Sequence, residues 1–296
     1  MTTSPDSMHT SYALLTPSFA PDFERCELLV ESCDRYLAPG VQHYIIVDRR
    51  DEQLFRRLRS GRTHVIVKQE VLPRWLHQVP MRPKWWWRTN GLPVRGWMIQ
   101  QIVKLSADRF SPEDAYVFAD SDTFFLRPFD PADWAIGDRL PLFREVKPEI
   151  EGPMTTAWYE LGAPLLGIDL APPYRTNYVT SLAVWTRRNL VGLHRHLEDF
   201  HGMAWQQPLC GLRTVSEYTL YGMYCEHVLA ESSGQYYTDA IATLNYWHTD
   251  PLNEQQVRRW GEDLEPQQVM GMISAKSFTP VPVIRSAMGL RTGAAQ

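Results

Sequence analysis

A chain of 296 residues with 44% hydrophobic and 12% aromatic content can bury a sizeable core, which excludes an unfolded tail, a disulfide-stapled miniprotein and a collagenous repeat. Thirty Lys and Arg against 34 Asp and Glu leave a formal net charge of −4, so no overall field gathers nucleic acid, and none is expected as a partner. The apolar run Ala115 to Ala119 is five residues long, far short of the ~20 that a membrane-spanning helix requires. Met1 to Thr10 carries one Asp and neither Lys nor Arg; it lacks the pattern of a secretory signal, and a cytosolic protein is expected. Cys26, Cys33, Cys210 and Cys225 form no CxxC. The seven-residue spacing of the first two would put both on one buried helix face, so reduced core thiols are expected rather than a zinc site.

In chain order, Tyr12 to Leu15 reads as a strand, Thr16 to Pro21 as a turn and Asp22 to Tyr36 as a helix capped by Asp22, and Gln42 to Asp48 is again a strand. A helix over Glu52 to Arg59 and a strand over Thr63 to Lys68 continue this βαβ alternation, so a mainly parallel sheet covered by helices is predicted. Leu72 to Pro93 is rich in Pro and Trp, with Trp75 and the triplet Trp85, Trp86 and Trp87. A helix follows over Val94 to Arg109, with Met98, Ile99, Ile102, Val103 and Leu105 on its apolar side. Gln100, Gln101 and Lys104 lie on its polar side, facing solvent or a ligand. Tyr116 to Ala119 is a buried strand. Prolines then mark Asp130 to Tyr174 as loop with short elements, before a strand over Tyr178 to Trp185 and a helix over Asn189 to Phe200. One α/β domain with loop-rich insertions is expected over residues 11–285, with residues 1–10 disordered and 286–296 a flexible tail.

The sharpest chemical signal is Asp120-Ser121-Asp122, directly after an apolar strand. Residues i and i+2 of an extended chain point the same way, which places two carboxylates side by side where they repel unless a cation joins them. Oxygen ligands of this kind suit Mg²⁺ or Mn²⁺, ions that keep positions open for water or substrate phosphates. In open α/β sheets, ligands bind beyond the carboxyl ends of the strands, and these aspartates occupy such an end. The structural alternative is an acidic turn.

The segment YVFADSDTFFLRPF resembles the DxD segment of GT-A glycosyltransferases, which bind a nucleotide-sugar through a divalent metal. SYALLTPSF resembles the first strand and nucleotide-binding turn of that fold, YIIVDRRD its second strand ending in an acid, and RGWMIQQIVKL the helix before the DxD strand. The resemblance spans roughly Ser11 to Asp250 and is closest to a bacterial family of uncharacterised proteins assigned to that superfamily. It implies a GT-A-like, Rossmann-type fold, with a nucleotide-binding half over about 11–125 and an acceptor half over about 126–285. It further implies Thr16 at the nucleotide, Asp48 near the base or ribose, Gln100, Gln101 and Lys104 on the donor side, and Asp120 and Asp122 on Mn²⁺ or Mg²⁺.

Members often add a late histidine as third metal ligand, and His248 in Asn245-Tyr246-Trp247-His248 is the candidate, against a structural histidine. Lys276 would fold back onto the diphosphate. Inverting members use a downstream carboxylate as base, for which Glu217 is the candidate and Asp169 the second. Glu217 behind Ser216 equally reads as a first-turn glutamate complementing a helix dipole. The expected donor is a nucleotide-sugar. The acceptor is a surface polysaccharide, glycolipid or small-metabolite hydroxyl. The aromatics Trp85, Trp86, Trp87, Trp97 and Trp158 suit sugar stacking or core filling, and Trp85 to Trp87 suit peripheral contact with the inner membrane. Two rival readings are a haloacid-dehalogenase-like phosphatase, whose DxDx[TV] pattern fails at Phe124, and a non-catalytic nucleotide- or carbohydrate-binding protein.

Overall fold

The computed structural model describes residues 10–82, 84–88 and 91–290. The predicted alternation holds through the first third: β1 (Tyr12–Pro17), α1 (Phe23–Tyr36), β2 (Gln42–Val47), α2 (Glu52–Phe55), β3 (Thr63–Val67) and α3 (Lys68–Val71). Short strands β4 (Leu76–Gln78), β5 (Trp85–Arg88) and β6 (Val94–Arg95) then lead into α4 (Gly96–Leu105) and β7 (Ala115–Ala119). Beyond β7 come β8 (Thr123–Phe125), β9 (Leu140–Phe143), β10 (Glu145–Val146), α5 (Pro153–Leu165), β11 (Thr176–Asn177), β12 (Leu182–Thr186) and α6 (Arg187–His201). The chain finishes with α7 (Gln206–Leu209), α8 (Glu217–Met223), β13 (Gln235–Thr238), β14 (Thr243–Tyr246), α9 (Glu254–Glu262), β15 (Met270–Ile273) and α10 (Val281–Ala287).

The protein is a mixed α/β single domain around a five-stranded sheet of order β3-β2-β1-β7-β12, parallel except for β12. β1 and β7 are buried on both faces, which is why they read as near-continuous apolar runs. On one face, α4 and α8 pack around Phe118, Trp185 and Tyr221; the Trp185 and Tyr221 rings stack at 4.5 Å. The opposite face takes α1, through Leu29 and Cys33. All four cysteines are buried and free, as expected. Burial pushes the Cys26, Cys210 and Cys225 thiols up to about 12, which keeps them protonated and unreactive.

A second sheet, β14-β15-β8, adjoins the end of β7, with β15 antiparallel to β8 and parallel to β14. The chain passes from the central sheet into this one within the three residues Asp120 to Asp122. Arg25 of α1 pins the junction by donating to the Ile273 and Thr279 carbonyls at 2.9 and 3.0 Å.

Two expectations need correcting, and one stretch left without an element takes a definite form. The Pro/Trp-rich stretch before α4 is a three-stranded antiparallel sheet, β4-β5-β6. In it Trp86 is in the core, while Trp85 and Trp87 are exposed. The stretch taken as loop contains α5, thirteen residues long. Pro153 opens this helix, where its missing N–H costs nothing, so a proline read as a breaker is a starter. Residues 286–290 are not a free tail: Ala287 and Leu290 are buried against α1 and α9 residues, and the Gly289 carbonyl accepts from Arg35. The disorder expected at the two termini otherwise falls on residues 1–9 and 291–296, outside the described residues.

Arg62 fastens α1 to β2. Its guanidinium donates to the carbonyls of Cys33, Leu37, Ala38 and Val41 at 2.6 to 3.3 Å, closing a helix end that would otherwise leave orphan acceptors. Charge-assisted bonds of this kind are the strong ones. Arg62→Ala is therefore expected to lower unfolding stability by about 3 kcal/mol, read as a lower midpoint in urea denaturation. Arg62→Lys should recover only part, because an ammonium cannot fork across four carbonyls.

Candidate functional site

The strand order reverses at β1: β2 lies on one side of it and β7 on the other. The connections leaving the two strands diverge there, and the carboxyl ends of β1 and β7 open a crevice. That crevice is a cleft of about 430 Å³ lined by Ser18, Phe19 and Asp22 after β1, Lys68 of α3, Gly96 and Gln100 of α4, and Asp120, Ser121 and Asp122 after β7.

Asp120 and Asp122 share the cleft, although not through the extended geometry expected. The segment is a turn: the Asp120 carbonyl accepts from the Thr123 N–H at 3.2 Å and from Thr123 Oγ1 at 2.7 Å. Asp120 is exposed, with its side chain 54% accessible. Asp122 is folded against the C-terminal segment, where its Oδ2 accepts from the Ala275 N–H at 3.1 Å. Burial pushes the Asp122 carboxyl up to about 6, and the Asp120 charge adds to this against the opposing pull of the Ala275 N–H and Arg25. A third acid was missed in the sequence. Asp22 stands at the N-cap of α1 but makes no side-chain cap bond. It accepts instead from Ser121 Oγ at 3.2 Å, and burial raises its carboxyl too. Its position just after β1 was the available signal.

α4 splits its polar residues three ways. Gln100 lines the cleft. Gln101 is buried with its Nε2 on the Trp97 carbonyl and its Oε1 unpaired among the described residues. Lys104 is buried behind Asp120, and neither it nor Gln101 faces solvent. Lys104 Nζ lies 2.9 Å from Glu217, 3.6 Å from Asp120 and 3.0 Å from the Tyr218 hydroxyl. Burial disfavours its charge, but Glu217, Tyr218 and Asp120 outweigh that and hold the ammonium well above the ordinary lysine range. Glu217 opens α8 behind the Ser216 cap. Its carboxylate is buried on Lys104 and does not line the cleft, so the geometry gives it the part of anchoring Lys104 rather than meeting an acceptor hydroxyl.

Asp48 likewise acts through a lysine. It is buried at the end of β2, accepts from Gln78 at 2.9 Å and pairs with Lys68 Nζ at 2.9 Å. Burial raises its carboxyl, but Lys68, Arg50 and Gln78 outweigh this and leave it below the ordinary range. Lys68, which the sequence reading passed over as the end of a strand, is the residue that reaches the cleft.

Beyond Asp48, Gln101, Lys104 and Glu217, four more expected residues are not brought into the cleft lining. Thr16 is fully buried with its Oγ1 3.0 Å from His43 Nε2, because a residue inside a sheet strand points into the packed layer. Asp169 is exposed after α5. His248 is exposed past β14 with its ring 5.1 Å from that of Tyr246. Lys276 is exposed on the turn Ala275–Ser277, one residue beyond the amide that holds Asp122. Among the described residues, no group of three or more His, Cys, Asp or Glu side chains is gathered closely enough to hold a metal ion. An oxygen-rich pair completed by water and substrate phosphate, rather than a full protein cage, is the arrangement that the acids can offer. Trp158 also stands apart from the cleft lining, donating to Thr214 at 3.1 Å.

The model of DUF6492, a family of unknown function, matches residues 13–282. The chain belongs to this family. No curated protein matches it. The match runs from β1 into α10, so the cleft and both sheets that frame it lie within the matched residues.

Two outcomes follow for this DUF6492 protein. The folded state binds the Asp122 proton more tightly than the unfolded chain, whose carboxyl titrates near ~4. The resulting stability is complete below about pH 4 and is lost as pH rises through about 6. Asp122→Asn, measured by thermal unfolding in chelator, should therefore be more stable than the parent at pH 7, on the order of 2 kcal/mol, with the advantage gone below pH 4. Equal stability across that range would remove the charge conflict. Separately, Lys104→Met should cost about 3–5 kcal/mol by stranding a buried carboxylate, and adding Glu217→Gln should restore much of it in urea denaturation.

Proposed function

We propose that this DUF6492 protein is a metal-dependent glycosyltransferase of the GT-A type, moving a sugar from a nucleotide-sugar to an acceptor hydroxyl. One observation carries the reading: two aspartates follow a parallel strand at the reversal point of the sheet and open into one cleft, and one of them resists ionisation beside the other. A carboxyl that burial, with a like-charged neighbour second, keeps from ionising at a cleft is a feature found often at functional sites, and a divalent cation would relieve it. The quoted sequence resemblance supplies the reaction class, which the charge pattern alone does not specify.

Asp120 and Asp122 would hold Mn²⁺ or Mg²⁺. The ion, when bound, neutralises the donor diphosphate and the charge developing on the departing nucleoside diphosphate. The chain supplies the rest. Lys104, held charged by Glu217, stands 3.6 Å from Asp120 and would hold that carboxylate in place. Lys68, oriented by Asp48, presents an ammonium to the cleft and suits a phosphate oxygen. The half-exposed Phe19 ring on the cleft wall suits stacking with a flat base. The acceptor is a saccharide, glycolipid or small-metabolite hydroxyl.

Calorimetry with nucleoside diphosphates tests this. Binding of one diphosphate in Mn²⁺ or Mg²⁺ should vanish in chelator and in Asp122→Ala, with the circular dichroism of the variant unchanged. It should release protons near pH 6, because the cation displaces the proton of Asp122. The released protons appear as a dependence of the heat on buffer ionisation enthalpy. Chelator-insensitive binding, or an Asp122→Ala variant with parental affinity, would end the proposal.

A further inference from the structure

The charge of this chain is unevenly placed. Although the protein as a whole is at −4, Val71 to Ala107 contains no Asp or Glu while carrying Arg74, Arg82, Lys84, Arg88, Arg95 and Lys104. Only Lys104 is buried and paired; among the described residues, none of the other five enters an ion pair. The small sheet β4-β5-β6 lies within this segment. Its two faces differ sharply. Residues opposite one another in an antiparallel pair share a face, and alternate residues of a strand change face. Leu76, Trp86 and Val94 accordingly form the inner face and are buried. The outer face carries His77 opposite Trp87 and Trp85 opposite Arg95.

Trp85 is 38% exposed and Trp87 51% exposed, with the Arg95 guanidinium 6.0 Å from the Trp85 ring centroid. Leu92 and Met81 in the adjoining turns and Trp97 at the start of α4 are also exposed. Two large aromatics turned to water on a sheet whose inner face is already satisfied are not explained by folding. Scattered apolar residues need no account, but a patch beside several unpaired cations does; the acid that lines the adjoining groove with His77, Glu70, is paired with Arg49.

We propose that the outer face of β4-β5-β6 docks on an anionic phospholipid bilayer, with Trp85 and Trp87 seated at headgroup depth and Arg82, Lys84 and Arg95 on the lipid phosphates. The charge selects this occupant. Indole rings settle where one end is apolar and the other wet, and basic side chains beside them gain from the negative leaflet surface. A carbohydrate platform would pair its aromatics with carboxylates that accept from sugar hydroxyls, and the segment has none. No helix among the described residues is long and apolar enough to cross a membrane, so the contact is peripheral. β6 runs directly into Gly96, which lines the cleft, so docking brings the cleft close to the bilayer surface.

Vesicle co-sedimentation of the full chain tests the proposal without reference to activity. The protein should sediment with phosphatidylcholine vesicles containing phosphatidylserine, and should not with phosphatidylcholine alone or in high salt. Trp85→Ser/Trp87→Ser and Arg82→Glu/Arg95→Glu should each weaken binding by about tenfold or more, with thermal unfolding unchanged because these side chains are exposed. Brominated lipid should quench tryptophan emission of the parent and not of the double-Ser variant. Failure to sediment with anionic vesicles, sedimentation unaffected by either variant, or a soluble glycan whose binding the double-Ser variant abolishes in place of vesicle binding would each overturn it.

Discussion

The organising constraint of this protein is a concentration of negative charge where β7 ends. Asp120 and Asp122 are separated by Ser121 alone, in a turn at the seam between two sheets, and Asp22 faces them from the N-cap of α1. Left alone, this charge would open the seam. The fold answers it from three directions: the Ala275 amide from the C-terminal segment, Arg25 from α1, and Lys104 from α4 with Glu217 behind it. These come from positions up to 250 residues apart in order, so the site and the closure of the domain are one arrangement. Asp122 stays hard to ionise even so, because burial and the neighbouring Asp120 charge outweigh the Ala275 amide and Arg25.

The cleft is asymmetric in a way that bears on what enters it. Acids occupy the β7 side, and Lys68 occupies the β2–β3 side, with Asp48 and Gln78 fixing it from behind. In each case a buried residue of opposite charge orients the group that meets the cleft: Asp48 sets Lys68, and Lys104 sets Asp120. Such pairing limits the freedom of the exposed member and so reduces the ordering cost when a ligand binds. The metal-bound donor of the proposed function would meet opposite charge on both walls.

Resemblance and geometry contribute different things here. DUF6492 membership is established over most of the chain but carries no activity with it. The α/β architecture gives a place for a ligand and not its identity, since folds of this kind serve unrelated chemistries. The proposed transferase reading therefore rests on the residues at the cleft for its site and on the sequence resemblance for its reaction class, and the proposed bilayer contact on a separate sheet with a separate charge pattern. Neither depends on the other.

Alternating periodicity made most of the first half legible, because strands buried on both faces and helices with one apolar stripe leave distinct patterns; β1, α1, β2, β3, α4 and β7 all lie close to their expected bounds. The position of Asp120 and Asp122 after an apolar strand was legible for the same reason. What the sequence could not determine was which side chains turn toward the cleft. Gln100 and Gln101 are neighbours, yet one lines the cleft and the other is buried, because the packing of α8 on α4 decides which helix face meets solvent. Asp48 and Glu217 each look like a site acid but are occupied by lysines brought from distant positions, and Asp22 looks like a cap but faces Ser121 across the crevice. The hidden α5 and the β4-β5-β6 sheet follow the same logic. Proline and tryptophan describe local preference, whereas a helix start or a two-faced sheet exists only once tertiary contacts bury one side of it.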